Sequence, residues 1–264
     1  MSSISRDMSL LANDEPLPWQ IERPSPAATS PYFLTCDHAG MRVPRRLRQL
    51  GLDDSELQRH IGWDIGAAAV ALQLSALLDA TLVLQPYSRL VIDCNRPPQS
   101  LDSMPARSEA TTIPGNRSVS ATDASLRRRQ IFEPYHARIR EQLDARGRLG
   151  QPTLLLAMHS FTPVYLGEAR PWHVGVLYHR DARMAHALRD LLMQDAGLCV
   201  GDNQPYTVSD DSDYGIPEHG ERRGLPHVEL EIRQDLIADA AGQLEWAQRL
   251  ARCLRMLERP LLYS

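Results

Sequence analysis

The chain reads as an α/β protein, a three-layer α/β/α sandwich, and three features of its 264 residues predict this. Strand-like apolar runs alternate with helical patterns. Those runs are nearly all apolar, as expected of strands covered on both faces. No internal repeat and no strong boundary divides the chain, so a single domain over residues 31–264 is expected after an extended arm over 1–30.

The arm is polar and proline-containing ("EPLPWQIERPSPAATSP"), with only short local structure expected. "YFLTCDH" then reads as a short buried strand ending on polar residues. "DDSELQRHIGWDIGAAAVALQLSALLDA" carries one or two helices, with Asp53 or Asp54 as N-cap and helical Ala/Leu periodicity from Ala67 to Leu78. "TLVLQPYSRLVIDC" reads as two β pieces broken at Pro86, the second ending in Asp93, Asn95 and Arg96.

Residues 96–120 form a long Pro/Ser/Thr/Gly-rich loop, a length more often functional than idle. The helix pattern "ATDASLRRRQIFEPYHARIREQLDARGR" contains Pro134, which predicts a kink or break. "PTLLLAMHS" is a strand ending in His159, and "WHVGVLYH" is another, followed by a helix over 181–196. "LCVGDNQPY" is a short strand into a turn, "DSDYGIPEHGERRG" a polar loop and "LPHVELEIR" a strand, before a last helix over 241–257.

Composition narrows the function. Hydrophobic residues at 43% and charged residues at 23% are ordinary for a globular protein, and a net charge of −4 gives no pull toward nucleic acid or anionic membrane. No apolar run approaches the roughly 18 residues of a spanning helix. The start lacks a basic region followed by an apolar core, so no secretory signal is read. Cys36, Cys94, Cys199 and Cys253 are scattered, which argues against a disulfide framework or a Cys-rich zinc site and fits a reducing cytoplasm. All 29 basic residues are arginine. Without lysine there is no Schiff base, lysine-bound pyridoxal phosphate or P-loop lysine. Neither G-x-S-x-G nor G-x-G-x-x-G occurs.

Polar residues collect where strands end: Asp37-His38, Asp93-Asn95-Arg96, His159, and Glu229, Glu231 and Arg233. Ligands of open α/β sheets bind beyond the carboxyl ends of strands, and imidazoles with carboxylates there are what a zinc-type site requires. Each has a plainer explanation. A lone histidine after a strand commonly caps or hydrogen-bonds the core, and Glu231 could lie on an exposed edge or pair with Arg233. His136 and His186, on helices, read as surface or packing residues; His179 and His219 fall in polar loops. His60 and His173 lie near suspected site residues.

In this order, "CDHAGMRVP", "HIGWDIGAA", "SRLVIDCNRP", "MHSFTP", "RPWHVGVLY", "DNQPY" and "HVELEIRQDLI" resemble the N-formylglutamate amidohydrolase family and its predicted relatives across roughly residues 32–240. The resemblance implies a zinc-dependent hydrolase of N-formyl or N-acyl amino acids with a phosphorylase/hydrolase-like fold, similar to the zinc carboxypeptidases, and a central mixed sheet. It implies His38, Asp64 and His159 as ligands of one Zn2+ and Glu231 as the catalytic glutamate. The compact H-x-x-E of the carboxypeptidases is missing, since Met41 stands at that spacing from His38, so the carboxylate comes from elsewhere: Asp64, with Glu56 as its rival. "DCNR" resembles D-x-N-R, which implies Asn95 and Arg96 as a clamp for the substrate's α-carboxylate. Asp37 or Asp93 would orient a ligand histidine. Arg89, Arg107 and Arg170 are further candidates for substrate contact. "ELEIRQDL" departs from the Q-x-E-I-N-R type, which leaves the acyl group and amino acid open. Another amide, such as a peptidoglycan fragment or small peptide, and a non-catalytic binding protein on the same scaffold are the alternatives. The expected partner is a small N-acyl amino acid, with neither nucleic acid nor membrane involved.

Overall fold

A computed structural model describes residues 9–23 and 29–262. Its strands are β1 (Gln20–Glu22), β2 (Tyr32–Cys36), β3 (Thr81–Leu84), β4 (Arg107–Ser108), β5 (Thr111–Thr112), β6 (Leu154–Phe161), β7 (Val164–Tyr165), β8 (Glu168–Ala169), β9 (Val174–Leu177), β10 (Val200–Asp202) and β11 (His227–Arg233). Its α-helices are α1 (Asp54–Leu57), α2 (Ala67–Leu78), α3 (Ala121–Arg127), α4 (Glu133–Arg148), α5 (Arg183–Leu192) and α6 (Ala240–Leu262).

Seven strands form one sheet in the order β1-β3-β2-β6-β11-β9-β10. The β1–β3 and β11–β9 pairs are antiparallel and the other neighbours parallel, so the sheet is mixed. One face packs Leu34, Leu156 and Leu230 against Val70 and Leu74 of α2, Leu188 of α5 and Leu250 of α6. The opposite face packs Phe33, Val83 and Leu155 against Tyr135 and Ile139 of α4. Helices on both faces make the three-layer sandwich that the apolar runs predict.

Of the arm, Gln20–Glu22 add to the sheet as an edge strand and Leu10 is buried; residues 1–8 and 24–28 lie outside the described residues. Asp53 is the N-cap of α1, its carboxylate accepting the Glu56 N–H. The break expected near Pro134 is a π-helical turn over Arg128–Phe132, after which α4 starts with this proline in its first turn. The backbone stays helical from α3 into α4, and the wider π turn, in which the Glu133 N–H bonds to the Arg128 carbonyl, accommodates the proline without a break.

Two expectations need correcting. Residues 89–95 are not a strand but a buried run of turns: Val91 N–H donates to the Ser88 carbonyl at 2.9 Å and Asp93 N–H to the Ser103 carbonyl at 2.8 Å. Leu90, Val91, Ile92 and Cys94 are fully buried, so their apolar pattern reports burial rather than pleat. Buried irregular backbone needs partners. Arg127 Nη1 donates to the Val91 carbonyl at 3.0 Å, and Asn116 Nδ2 to the Leu90 carbonyl at 2.8 Å. Similarly, the presumed polar loop near residue 216 contains a π-helical turn over Ile216–Gly220, where Ile216 and Pro217 are buried and Ile216 packs with Ala157 of β6 and Leu177 of β9.

The second face carries the polar residues. Side chains alternate along a strand. Leu156 and Met158 of β6 and Leu230 and Ile232 of β11 therefore join the first core, while His159, Glu229 and Glu231 point to the opposite side. β2, β6 and β11 run parallel, so their carboxyl ends meet at one edge. Arg127→Met should destabilise the protein by about 1–3 kcal/mol, the cost of leaving buried acceptors such as the Val91 carbonyl without a donor. Urea denaturation measures this as a lower midpoint.

Candidate active site

His159 and Glu231 are paired partners on β6 and β11, so their side chains stand next to each other on the second face. His38 lies two residues beyond β2. Asp64 precedes α2, its N–H bonded to the His38 carbonyl at 3.0 Å. Gly66, the N-cap of α2, has φ +80°, and a Cβ there would fall 2.3 Å from the Ile237 carbonyl oxygen. This close approach lets the chain turn into α2 immediately after presenting Asp64.

His38, Asp64 and His159 converge, each nearly fully buried, with one potential ligand atom apiece within 4.8 Å of the others. Asp64 Oδ2 is 2.9 Å from His159 Nδ1 and 3.3 Å from His38 Nδ1. Ligand atoms of a tetrahedral ion bound at about 2.0–2.1 Å sit about 3.3 Å apart, so the set fits a divalent cation. His38 Nε2 donates to Asp93 Oδ1 at 2.8 Å, which leaves Nδ1 bare toward the cluster. His159 Nε2 has no hydrogen-bond partner and faces Asp37 Oδ2, likewise unpartnered, at 3.7 Å. The rival carboxylate, Glu56, is elsewhere, bound to Arg59 and Thr111.

Charge also favours a cation. Asp37, Asp64, Asp93, Asp213, Glu229 and Glu231 are all buried here. Arg89 compensates part of this charge, donating to Asp93 Oδ2 at 2.6 Å and to Asp64 Oδ1 at 3.4 Å. Burial pushes the Glu231 carboxyl up to about 8 and the Glu229 carboxyl up to about 7. Burial would also raise Asp64, but His38 and His159 outweigh it and hold that carboxyl well below its usual range. Glu231 Oε2 is buried without a partner.

These groups open into a cleft of about 490 Å3, within the size range of small-molecule sites. The 96–120 loop supplies one wall through Asp102, Pro105 and the β4–β5 hairpin residues Arg107 and Ser108. Arg96 lines the cleft, donates to the Ser212 carbonyl and lies 3.7 Å from Asp213 Oδ1. Asn95 also lines it, but its amide is engaged: Oδ1 accepts the Gly215 N–H at 2.9 Å, and Nδ2 donates to Glu229 Oε2 at 3.3 Å. Arg170 stands behind the wall and reaches it through Tyr206 Oη at 2.8 Å. The supposed Glu231–Arg233 ion pair is replaced by Arg233–Asp235 at 2.8 Å. His60 lines the cleft beside Glu109, whereas His173 accepts the Cys199 N–H. His136 and His219 are buried and bonded to each other at 2.9 Å. Sequence reading assigned no separate role to Tyr206, Asp213 or Glu229, although Glu229 was among the polar strand-end residues and Tyr206 closes the "DNQPY" motif.

The N-formylglutamate amidohydrolase family model matches residues 30–238. The chain belongs to the N-formylglutamate amidohydrolase family. A gene product of Agrobacterium tumefaciens of known structure is 36% identical, with a TM-score of 0.89 over 94% of this chain and 99% of that one. N-formylglutamate amidohydrolase from Ralstonia eutropha shares the fold at 18% identity, with a TM-score of 0.58 over 92% of this chain and 98% of that one. No curated protein matches the chain. Membership in this family supports an amidohydrolase activity for the chain, and the buried His38-Asp64-His159 cluster is compatible with a metal ion.

Two outcomes are expected from the electrostatics of this cluster. Asp93→Asn should weaken divalent-metal affinity by about 10- to 100-fold, measured by competition with a chelator, because the imidazole of His38 loses its orienting carboxylate. The second concerns the metal-free protein. Glu229 and Glu231, raised in the folded state, keep protons that the unfolded chain sheds first, so rising pH destabilises the fold up to about pH 8. His38 and His159, also raised, add the same trend above their unfolded value. Buried His136, lowered to about 4, opposes it only below its unfolded value of about 6.5. Metal-free protein should therefore lose melting temperature between about pH 6.5 and pH 8, and saturating Zn2+ should flatten or reverse the slope, since bound imidazoles must be deprotonated.

Proposed function

We propose that the chain is a zinc-dependent hydrolase of N-formyl-L-glutamate or a closely related N-acyl amino acid. The activity would reside in one domain over residues 31–264, in the cytoplasm. One observation carries the proposal: Glu231 presents an unpartnered carboxylate oxygen next to His159, in the cleft onto which His38, Asp64 and His159 converge. Four free cysteines are compatible with the compartment, and no helix among the described residues is long and apolar enough to cross a membrane.

His38 Nδ1, Asp64 Oδ2 and His159 Nδ1 would hold the ion. When bound, zinc supplies Lewis acidity to the amide carbonyl and lowers the pKa of water toward about 7. Glu231 takes the proton of the attacking water and delivers it to the leaving nitrogen. Its high proton affinity suits the second half of that task, and a nearby cation favours the ionised form needed for the first. Asp93 holds both His38 and Arg89 in place. Arg96 takes the substrate's α-carboxylate with its planar fork, exchanging its Ser212 carbonyl contact for a charged partner. Asn95 keeps the Tyr214–Gly215 backbone against that end of the cleft and adds polar surface beside Arg96.

Purified protein should carry close to one zinc ion per chain. Glu231→Gln should keep the zinc and lose at least about 100-fold in kcat, the low end for a general base. An active Gln variant would remove its assigned role. Arg96→Ala should raise KM for acidic N-acyl amino acids and leave zinc content intact. Assays across N-formyl, N-acetyl and N-succinyl amino acids identify the acyl group. Hydrolysis confined to peptidoglycan fragments or small peptides would overturn the substrate assignment.

A further inference from the structure

The cleft contains a hydroxyl that the mechanism above does not use. Tyr206 shares the cleft with His159, Glu231 and Arg89. Its position follows from the sheet. Glu231 is flanked by His159 on β6 and by Gly175 on β9. A Cβ at Gly175 would fall 2.1 Å from the Gln204 carbonyl oxygen, so only glycine lets the loop after β10 lie directly on β9 beside Glu231. Gly201 closes on the same residue, its Cβ position 2.8 Å from Gln204 Cβ. Asn203 pins the loop to β9, its N–H donating to the Val176 carbonyl at 3.1 Å and its Oδ1 accepting the Tyr178 N–H at 2.9 Å. The loop then delivers Tyr206 to the cleft wall.

The phenol is held from behind. Arg170 Nη1 donates to Tyr206 Oη at 2.8 Å, and its guanidinium lies 4.8 Å from the Tyr206 ring centre and 4.7 Å from that of Tyr165. A guanidinium only donates, so this contact uses an oxygen lone pair and leaves the phenol's own proton free. A cationic donor on the oxygen also polarises the O–H bond and makes it a stronger donor. Although the residue is 41% exposed, desolvation at its hydroxyl and then the Glu231 carboxylate raise its pKa, which keeps the proton in place at neutral pH. Of the arginines lining the cleft, Arg107 sits on the β4–β5 hairpin with its Nε donating to the Glu109 carbonyl, and Arg89 and Arg96 are more committed. Arg89 directs Nε and Nη2 at Asp93 and Nη1 at Asp64, and Arg96 Nη1 donates to the Ser212 carbonyl.

We propose that the Tyr206 hydroxyl donates a hydrogen bond to the scissile carbonyl oxygen as it becomes an oxyanion, and that Arg170 is its positioning residue. No bond to Tyr206 forms and its proton is not transferred. The inference rests on the amide-hydrolysis reading. It assigns Arg170 a role through Tyr206 rather than through the substrate.

The test uses the zinc-loaded full chain with N-formyl-L-glutamate and the wider acyl panel. Tyr206→Phe should lower kcat by about 100-fold, as loss of one oxyanion donor does, with KM little changed and zinc content intact. By calorimetry it should weaken a tetrahedral phosphonate analogue of the substrate by a similar factor and leave L-glutamate binding unchanged. Arg170→Met should lower kcat by a smaller factor, and the double variant should be no slower than Tyr206→Phe alone, because the two act as one unit. A raised KM at unchanged kcat would make Tyr206 a ground-state contact and overturn the proposal. Equal weakening of analogue and L-glutamate, or fully additive losses in the double variant, would also overturn it. Wild-type protein inactive on every N-acyl amino acid would instead break the underlying reading, and the inference would fall with it.

Discussion

One carboxylate oxygen, Asp64 Oδ2, lies within 3.3 Å of the Nδ1 atoms of both His38 and His159. Those three side chains come from a strand end, a helix entry and the interior of a neighbouring strand. Their convergence sets the rest of the site. Asp93 must stand behind His38 to fix its tautomer, and Arg89 must stand beside Asp93 to balance it. Glu231 stands next to His159 because β11 pairs with β6. So many buried carboxylates would be costly without a compensating cation, and the arginines balance only part of their charge. The geometry and the charge deficit thus argue for a divalent ion at the same point.

The scaffold keeps this cluster dry and fixed by dividing the sheet's two faces. Against α2, α5 and α6 the packing is apolar. Against α4 the apolar packing ends partway along β6, and β11 presents His227, Glu229, Glu231 and Arg233 to that side, so polar side chains take over at the carboxyl edge. The run from Arg89 to Asn95 crosses that boundary as turns rather than as strand. A strand would direct alternate side chains away from the site. The turns instead put Leu90, Val91 and Ile92 into the second core while Arg89 and Asp93 reach the cluster. Arg127 and Asn116 make this possible by donating to its buried carbonyls.

Arginine alone supplies the fixed cations of the cleft. Its forked, permanently charged head suits carboxylate recognition, and it can brace a neighbour as well as bind substrate. Arg89 braces Asp93, Arg96 faces the cleft near Asp213, and Arg170 lies against Tyr165 and Tyr206. Similar residues thus serve different tasks according to which hydrogen bonds are already committed.

The sequence by itself determined the layering of the fold, because continuous apolar runs between amphipathic helices require burial on both faces. It also marked His38 and His159 as polar ends of apolar runs, and the ordered family motifs pointed to Asp64 and Glu231. The tertiary structure decided the rest. Nothing local in "RLVIDCNRP" distinguishes a buried strand from buried turns, since both need apolar side chains; the difference lies in donors from Asn116 and Arg127. The contact of Asp93 with His38 joins residues 55 apart, and Glu56 and Asp64 were separable only once their positions were known. Tyr206 closes the "DNQPY" motif, but nothing in the sequence gives its hydroxyl a task. Its place beside Glu231 depends on a missing side chain at Gly175, a packing condition that exists only between strands already assembled.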